Sequence, residues 1–216
     1  MQMAAKLTHN LLATFLIFLV LQPFAAKSRT VKPESLQTLD EQTGKKGGCG
    51  GSTVGDYKYF PGDPKWTTFP VTYGIVPGSV LPQGLNSKEV NESLEAAFKE
   101  WEGAVPKFAF KKVDPGDTAD IKIVFTALAG YYYGFGYAPP NGRLEIDSDH
   151  TNWSTAATPA WNQLDLQSGA MHEIGHTLGL DHSIYHSAVM NDTLIYGTTK
   201  RVLDPDDEIG IKNLYA

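Results

Sequence analysis

The stretch that decides the fold is His172-Glu173-Ile174-Gly175-His176-Thr177-Leu178-Gly179-Leu180-Asp181-His182. On a helix, residues four apart lie one above the other, so His172 and His176 present two imidazoles on one face. Glu173 stands one position round, able to act on a water held beside those rings without being a ligand itself. A third ligand requires the chain to reverse. Gly179 can supply that turn, because glycine accepts positive φ without steric cost. By position, either Asp181 or His182 can then complete the set. Such a set with one open position describes a catalytic zinc site rather than a structural one. Five fixed residues at this spacing arise by chance about once in 10⁶ registers of average composition. His9, His150 and His186 stand alone and read as ordinary core or surface residues. Zinc held this way acidifies water and polarises a carbonyl. Glu173 would take the water's proton as it attacks and deliver it to a leaving amine.

Outward from this motif, its helix covers residues 164–178. Upstream, residues 71–76 (VTYGIV) read as a strand. Asn86 can cap a helix with Glu89 three residues on, with Val90, Leu94, Phe98 and Trp101 as its apolar stripe and Gly103 as its end. Phe108 and Phe110 alternate in a second strand, and Ile121, Ile123 and Phe125 in a third. Residues 131–138 and 143–147 add two more. A last helix begins at Asp204, with Pro205 in the first-turn position that proline favours. This is an α+β class: a mixed β-sheet with an active-site helix and a C-terminal helix.

The chain has 216 residues, with 18 Lys+Arg against 24 Asp+Glu for a net charge of −6. Lys6 is the one charged residue among the first 26, so without them the balance is 17 against 24, or −7. A mildly acidic chain with no basic run argues against nucleic acid or an anionic membrane as its partner. The single cysteine, Cys49, excludes an intramolecular disulfide framework and any Cys-rich zinc site. Residues 1–26 read as a secretory signal. Their 11-residue apolar run at 11–21 (LLATFLIFLVL) is too short to span a hydrocarbon core of about 30 Å, and small residues follow at Ala25, Ala26 and Ser28. Sequons at Asn91, Asn152 and Asn191 fit a secreted glycoprotein. Residues 27–56 form a polar leader without a sustained apolar period, ending in a glycine-rich patch (GKKGGCGGSTVG) that cannot hold a helix. Residues 57–216 then make one domain of 160 residues, expected to act as a monomer outside the cell.

With His182 as third ligand the motif becomes HExxHxxGxxH, which resembles the metzincin metalloproteases and so favours His182 over Asp181. Met190, in Ser187-Ala188-Val189-Met190, resembles that clan's Met-turn, a methionine beneath the metal. Within the clan the chain is similar to a matrixin, or matrix metalloproteinase, of the short plant type. Residues 57–73 (YKYFPGDPKWTTFPVTY), 96–101, 119–125 (ADIKIVF), 137–153 (YAPPNGRLEIDSDHTNW) and 203–216 (LDPDDEIGIKNLYA) carry this likeness. It implies a metzincin catalytic domain with a twisted mixed sheet and no hemopexin-like domain. The implied activity is that of a secreted zinc endopeptidase acting on protein or peptide substrates outside the cell. A catalytically silent binding module, or a zinc hydrolase acting on something other than peptides, would be the alternatives.

The same resemblance implies further roles. The family keeps itself latent through a propeptide cysteine in PRCGVPD, whose thiolate fills zinc's open position. Cys49 lies eight residues before Tyr57, as that spacing requires, although Gly48 and Thr53 replace the motif's arginine and aspartate. The leader is also shorter than the family's three-helix prodomain. Such a zymogen would be activated by cleavage just before Tyr57, its new amino terminus pairing with Asp207 of the Asp206-Asp207 pair. Substrate would lie along an edge strand at Tyr133 and Gly134. Leu194 would stand in the pocket wall after the Met-turn, favouring an apolar substrate residue. Between Phe125 and Tyr137 the family's loop for a structural zinc and a calcium is replaced by TALAGYYYGFG, which has no histidine or carboxylate. Two later structural-zinc histidines align with Phe135 and Glu145. One zinc is therefore expected, with Asp147 and Asp149 or His150 as the remaining place for calcium.

Overall fold

The computed structural model describes residues 25–31 and 55–216. In chain order its elements are β1 (Ala25–Val31), β2 (Val71–Ile75), α1 (Ser87–Ala104), β3 (Phe110–Lys112), β4 (Ile121–Thr126) and β5 (Tyr132–Tyr137). There follow β6 (Arg143–Asp147), β7 (Trp153–Ser154), β8 (Leu164–Asp165), α2 (Leu166–Thr177), β9 (Thr193–Ile195) and α3 (Pro205–Leu214). The run at 11–21 and Cys49 lie outside the described residues.

Alternation builds the sheet. Ile121, Ile123 and Phe125 bury one face of β4, while the residues between them are only partly covered. β4 pairs in parallel with β2 and β6, and β2 in parallel with β3. β5 runs antiparallel to β6. β1 and β9 continue beyond β5, giving the order β3-β2-β4-β6-β5-β1-β9. β7 and β8 form a separate pair. The mixed sheet and three helices are the α+β arrangement expected.

Local capping fixes the helix starts. The Asn86 side chain accepts from the Glu89 backbone N–H at 3.1 Å, and Glu89 accepts from the Asn86 N–H at 2.9 Å. Val90, Leu94, Phe98 and Trp101 then face the core, with Phe98 stacked on Tyr73 at 3.8 Å between ring centroids. The Trp101 indole N–H donates to the Met171 carbonyl at 2.9 Å, tying α1 to α2. All but one of the 12 residues of α2 are buried, so this helix runs through the core instead of lying on it. Asp204 opens α3 through a capping box with Asp207, and Pro205 takes the first turn.

Several expectations need correcting. α1 runs through Gly103 and stops where Val105 turns extended. Phe108 precedes β3 rather than joining it, and packs instead on Phe69 and Tyr215 at 5.5 and 4.7 Å. Leu164 and Asp165 form β8 instead of the first turn of α2. Residues 25–31, split between the expected signal and leader, form a strand. Asn191 is buried and its amide donates to the Ser183 carbonyl at 3.2 Å, which leaves no room for a glycan there. No helix among the described residues is long and apolar enough to cross a membrane.

Candidate metal centre

The three ligands of the metal centre come from two chain segments, α2 and the stretch just beyond it. α2 supplies His172 and His176 one turn apart, both buried. His172 Nδ1 meets the Val189 carbonyl at 2.6 Å, and His176 Nδ1 meets the Leu180 carbonyl at 2.8 Å. A carbonyl only accepts, so both Nδ1 atoms carry hydrogen and both Nε2 atoms keep a lone pair. Those two Nε2 atoms lie 3.0 Å apart. After α2, Gly179 has φ of 106°, and a methyl there would overlap the Pro64 carbonyl. The reversed chain bridges Leu180 to Tyr59, and the Asp181 N–H donates to the Lys58 carbonyl at 2.8 Å. This brings the His182 ring to 5.3 Å from His172 and 4.8 Å from His176, centre to centre.

Ligand atoms of the three histidines all lie within 4.8 Å of one another. Asp181 is not part of the group; its Oδ1 accepts from the His182 backbone N–H at 2.8 Å. Burial and the neighbouring rings hold His172 well below the usual histidine range, and burial, with His182 beside it, brings His176 down to about 3. Both rings are therefore neutral, as metal ligands must be. Two buried lone pairs facing each other at this range repel unless a cation sits between them. The donor set fits zinc.

Glu173 is fully buried, and burial pushes its pKa up to about 8. Neither carboxylate oxygen has a hydrogen bond of ordinary geometry among the described residues. β5 presses directly on it: a Cβ added to Gly134 would stand 2.6 Å from Glu173 Oε1, and one on Gly136 2.5 Å from His176 Cβ. These alternate glycines let strand and helix approach. The Tyr133 ring turns inward, 5.9 Å from Trp153 and 6.2 Å from His172, and β5 lies between β6 and β1 instead of being the edge strand expected. Leu194 is buried in β9.

Met190 lies beneath α2, its sulfur against Gly175. The Val189 and Met190 N–H groups donate to Asp207 at 2.8 and 3.0 Å, and the Asp204 N–H donates to Asp207 Oδ2 at 2.9 Å. Asp207 thus clamps the turn from α3. Its neighbour Asp206 accepts from the Ser183 hydroxyl at 2.7 Å, while its Oδ1 is buried without a partner among the described residues. Gly55 packs beside it; a Cβ there would be 2.8 Å from that oxygen.

Asp147, the place left for calcium, is engaged by the backbone. Its carboxylate accepts N–H groups from Leu128, His150 and Thr151 at 2.9, 2.8 and 2.6 Å. Burial alone would raise its pKa, but these bonds hold it below the usual carboxylate value. Both oxygens clamp a loop, and the three-histidine group is the one cluster of three or more metal-binding side chains among the described residues. The orienting carbonyls of Val189 and Leu180 have no sequence signal, being main-chain atoms. The spacing of Gly134 and Gly136 did offer one, as paired glycines in a strand mark a close approach.

The Matrixin family model matches residues 65–216. Metalloendoproteinase 1-MMP of Arabidopsis thaliana is 36% identical over 183 residues, covering 76% of this chain and 48% of that protein. Metalloendoproteinase 1 of Glycine max is 32% identical over 178 residues, covering 76% and 56%. Matrix metalloproteinase-20 of Homo sapiens is 36% identical over 183 residues, covering 80% and 36%. The chain spans about half the length of these plant relatives and 36% of the human one. The match runs across the helix with its histidines, the turn beneath it and the sheet above, and on that footing the chain belongs to the matrixin family.

Proposed function

We propose that this chain is a zinc endopeptidase that hydrolyses extended protein segments, with Glu173 as general base. The observation that carries this is a fully buried carboxylate one residue from His172, beside three neighbouring imidazoles. Zinc held by His172, His176 and His182 would supply Lewis acidity toward water and the substrate carbonyl. Glu173, raised toward neutrality by burial, would accept the attacking water's proton and return it to the leaving nitrogen. Tyr133 and Gly134 would pair with substrate through their main chain, and Leu194 would wall the adjoining pocket.

The signal at 1–26 would export the protein, with Asn91 and Asn152 as glycan acceptors, and it would act on extracellular proteins as a monomer. Cys49 would serve as a removable zinc ligand until cleavage just before Tyr57. The amino terminus so freed would meet Asp206 rather than Asp207, since Asp207 is already committed to three backbone N–H groups. Purified protein should cut an unstructured protein such as gelatin and stop when a chelator is added. Glu173→Ala should keep zinc and cut nothing; full activity in that variant would refute the role of Glu173.

A further inference from the structure

Lys200 stands between the turn beneath the metal centre and the strand that follows it. Its base is fixed before its side chain reaches anything. The Lys200 backbone N–H donates to the Ser168 hydroxyl at 2.7 Å, and Ser168 lies on α2 one turn before His172. Ser168 in turn donates to Asp165 at 2.6 Å, and the next residue, Arg201, pairs with that same carboxylate. The lysine stem therefore starts from a point tied to the helix that carries the histidines.

From there the ammonium reaches two carbonyls. Nζ donates to Ala188 at 3.0 Å and to Thr193 at 3.4 Å. Ala188 precedes Val189, whose carbonyl orients His172, and Thr193 opens β9, where Leu194 is buried. Burial lowers the Lys200 pKa, while Asp207, Asp192 and Asp204 favour its charge. Among the described residues, Lys200 is the one side chain hydrogen-bonded to both the turn and β9. The two segments are not held alike. The turn keeps a second, separate hold, because Asp207 accepts from the Val189 and Met190 N–H groups. β9 meets the large sheet only through β1.

We propose that Lys200 is a positioning residue: it sets the spacing between the turn at Ala188 and the wall at Leu194, and with it the length of substrate side chain that the pocket accepts. Without its two bonds the wall moves outward while Asp207 keeps the turn, and hence the His172 ring, in place. A longer apolar side chain then fits. The effect on selectivity rests on the peptidase reading above, while the effect on β9 rests on the hydrogen bonds alone.

Two variants of the full chain test this. Lys200→Met keeps the length of the stem and removes its donors, and Lys200→Gln removes the charge and the reach. Amide hydrogen exchange, read residue by residue, should speed up about tenfold in Thr193–Ile195, with Val189 and Met190 as protected as in the parent. Zinc affinity should stay within about twofold, since the histidines and their carbonyls are untouched. Two fluorogenic peptides are compared, with leucine or tryptophan after the scissile bond. The ratio of kcat/KM for tryptophan over leucine should rise about tenfold, mainly through KM. Unchanged exchange in β9, or equal acceleration in β9 and the turn, overturns the proposal. So does an unchanged ratio in variants that cleave, or a larger loss of zinc. Faster exchange confined to β9, with no hydrolysis by any of the three proteins, would support the tie and refute the peptidase reading instead.

Discussion

Gly175 of the histidine-bearing helix rests on the sulfur of Met190, so closely that a methyl at 175 would overlap it and stand 2.9 Å from Trp101. An interior glycine ordinarily weakens a helix by about 0.5–1 kcal/mol relative to alanine. Here the missing side chain admits the turn whose Val189 carbonyl orients His172. Gly175→Ala should therefore destabilise the protein by about 1–3 kcal/mol, reversing the usual sign, and weaken zinc binding. Urea denaturation and zinc titration check this; a more stable variant would mean that the turn yields freely.

Asp207 gathers three backbone donors from two segments. Asp207→Ala would orphan them in a buried place, at a cost of about 3 kcal/mol or more. Asp206→Ala loses one hydrogen bond to Ser183 and should cost less than half as much in the uncleaved protein. Thermal unfolding of the two variants side by side is the measurement, and equal losses would contradict the clamp.

A largely buried ion pair secures the start of α2. Asp165 accepts from Ser168 at its N-terminus and pairs with Arg201, while its own side chain is fully buried. Arg201→Met would leave that carboxylate uncompensated, costing about 3–5 kcal/mol. Adding Asp165→Asn should recover part of the loss, so a double-mutant cycle should be strongly non-additive. Simple additivity would show that the pair does not act as a unit.

The metal-free protein should carry a pH signature of Glu173. Its folded pKa of about 8 lies above the ordinary 4.5, so between those values the folded state binds the proton more tightly. The carboxyl therefore favours folding at low pH, and that contribution is lost as pH rises toward 8. Glu173→Gln removes the dependence. Its stability advantage over the parent should grow by about 1.4 kcal/mol per pH unit from pH 5 to 8 and then level off. Other groups cancel in the difference. Denaturation of chelator-stripped proteins at pH 5, 7 and 9 measures it, and a flat difference would place Glu173 in contact with solvent.

What could be read from the chain was local or periodic. The spacing of His172 and His176 is helix geometry, and both capping boxes lie within four residues of sequence. The choice between Asp181 and His182 was open because it turns on where the chain lands after Gly179. The pairing of Lys58–Phe60 with the segment just beyond α2 fixes that landing. β7, β8 and β9 are two or three residues long and exist only through their partners. β1 had no apolar period to announce it, since its buried positions hold alanine and serine matched to glycines over 100 residues away. Gly103 failed as a helix stop because an exposed glycine in a last turn costs only about 1 kcal/mol.

The linked carbonyls and carboxylates also set a schedule. His172 is held by Val189, Val189 by Asp207, and Asp207 sits in the helix that ends at Leu214. A growing chain that has emerged only as far as the histidines has neither the ring orientation nor the turn beneath it. The metal site is therefore completed only once α3 has been made, since the last helix carries the carboxylate that sets the turn.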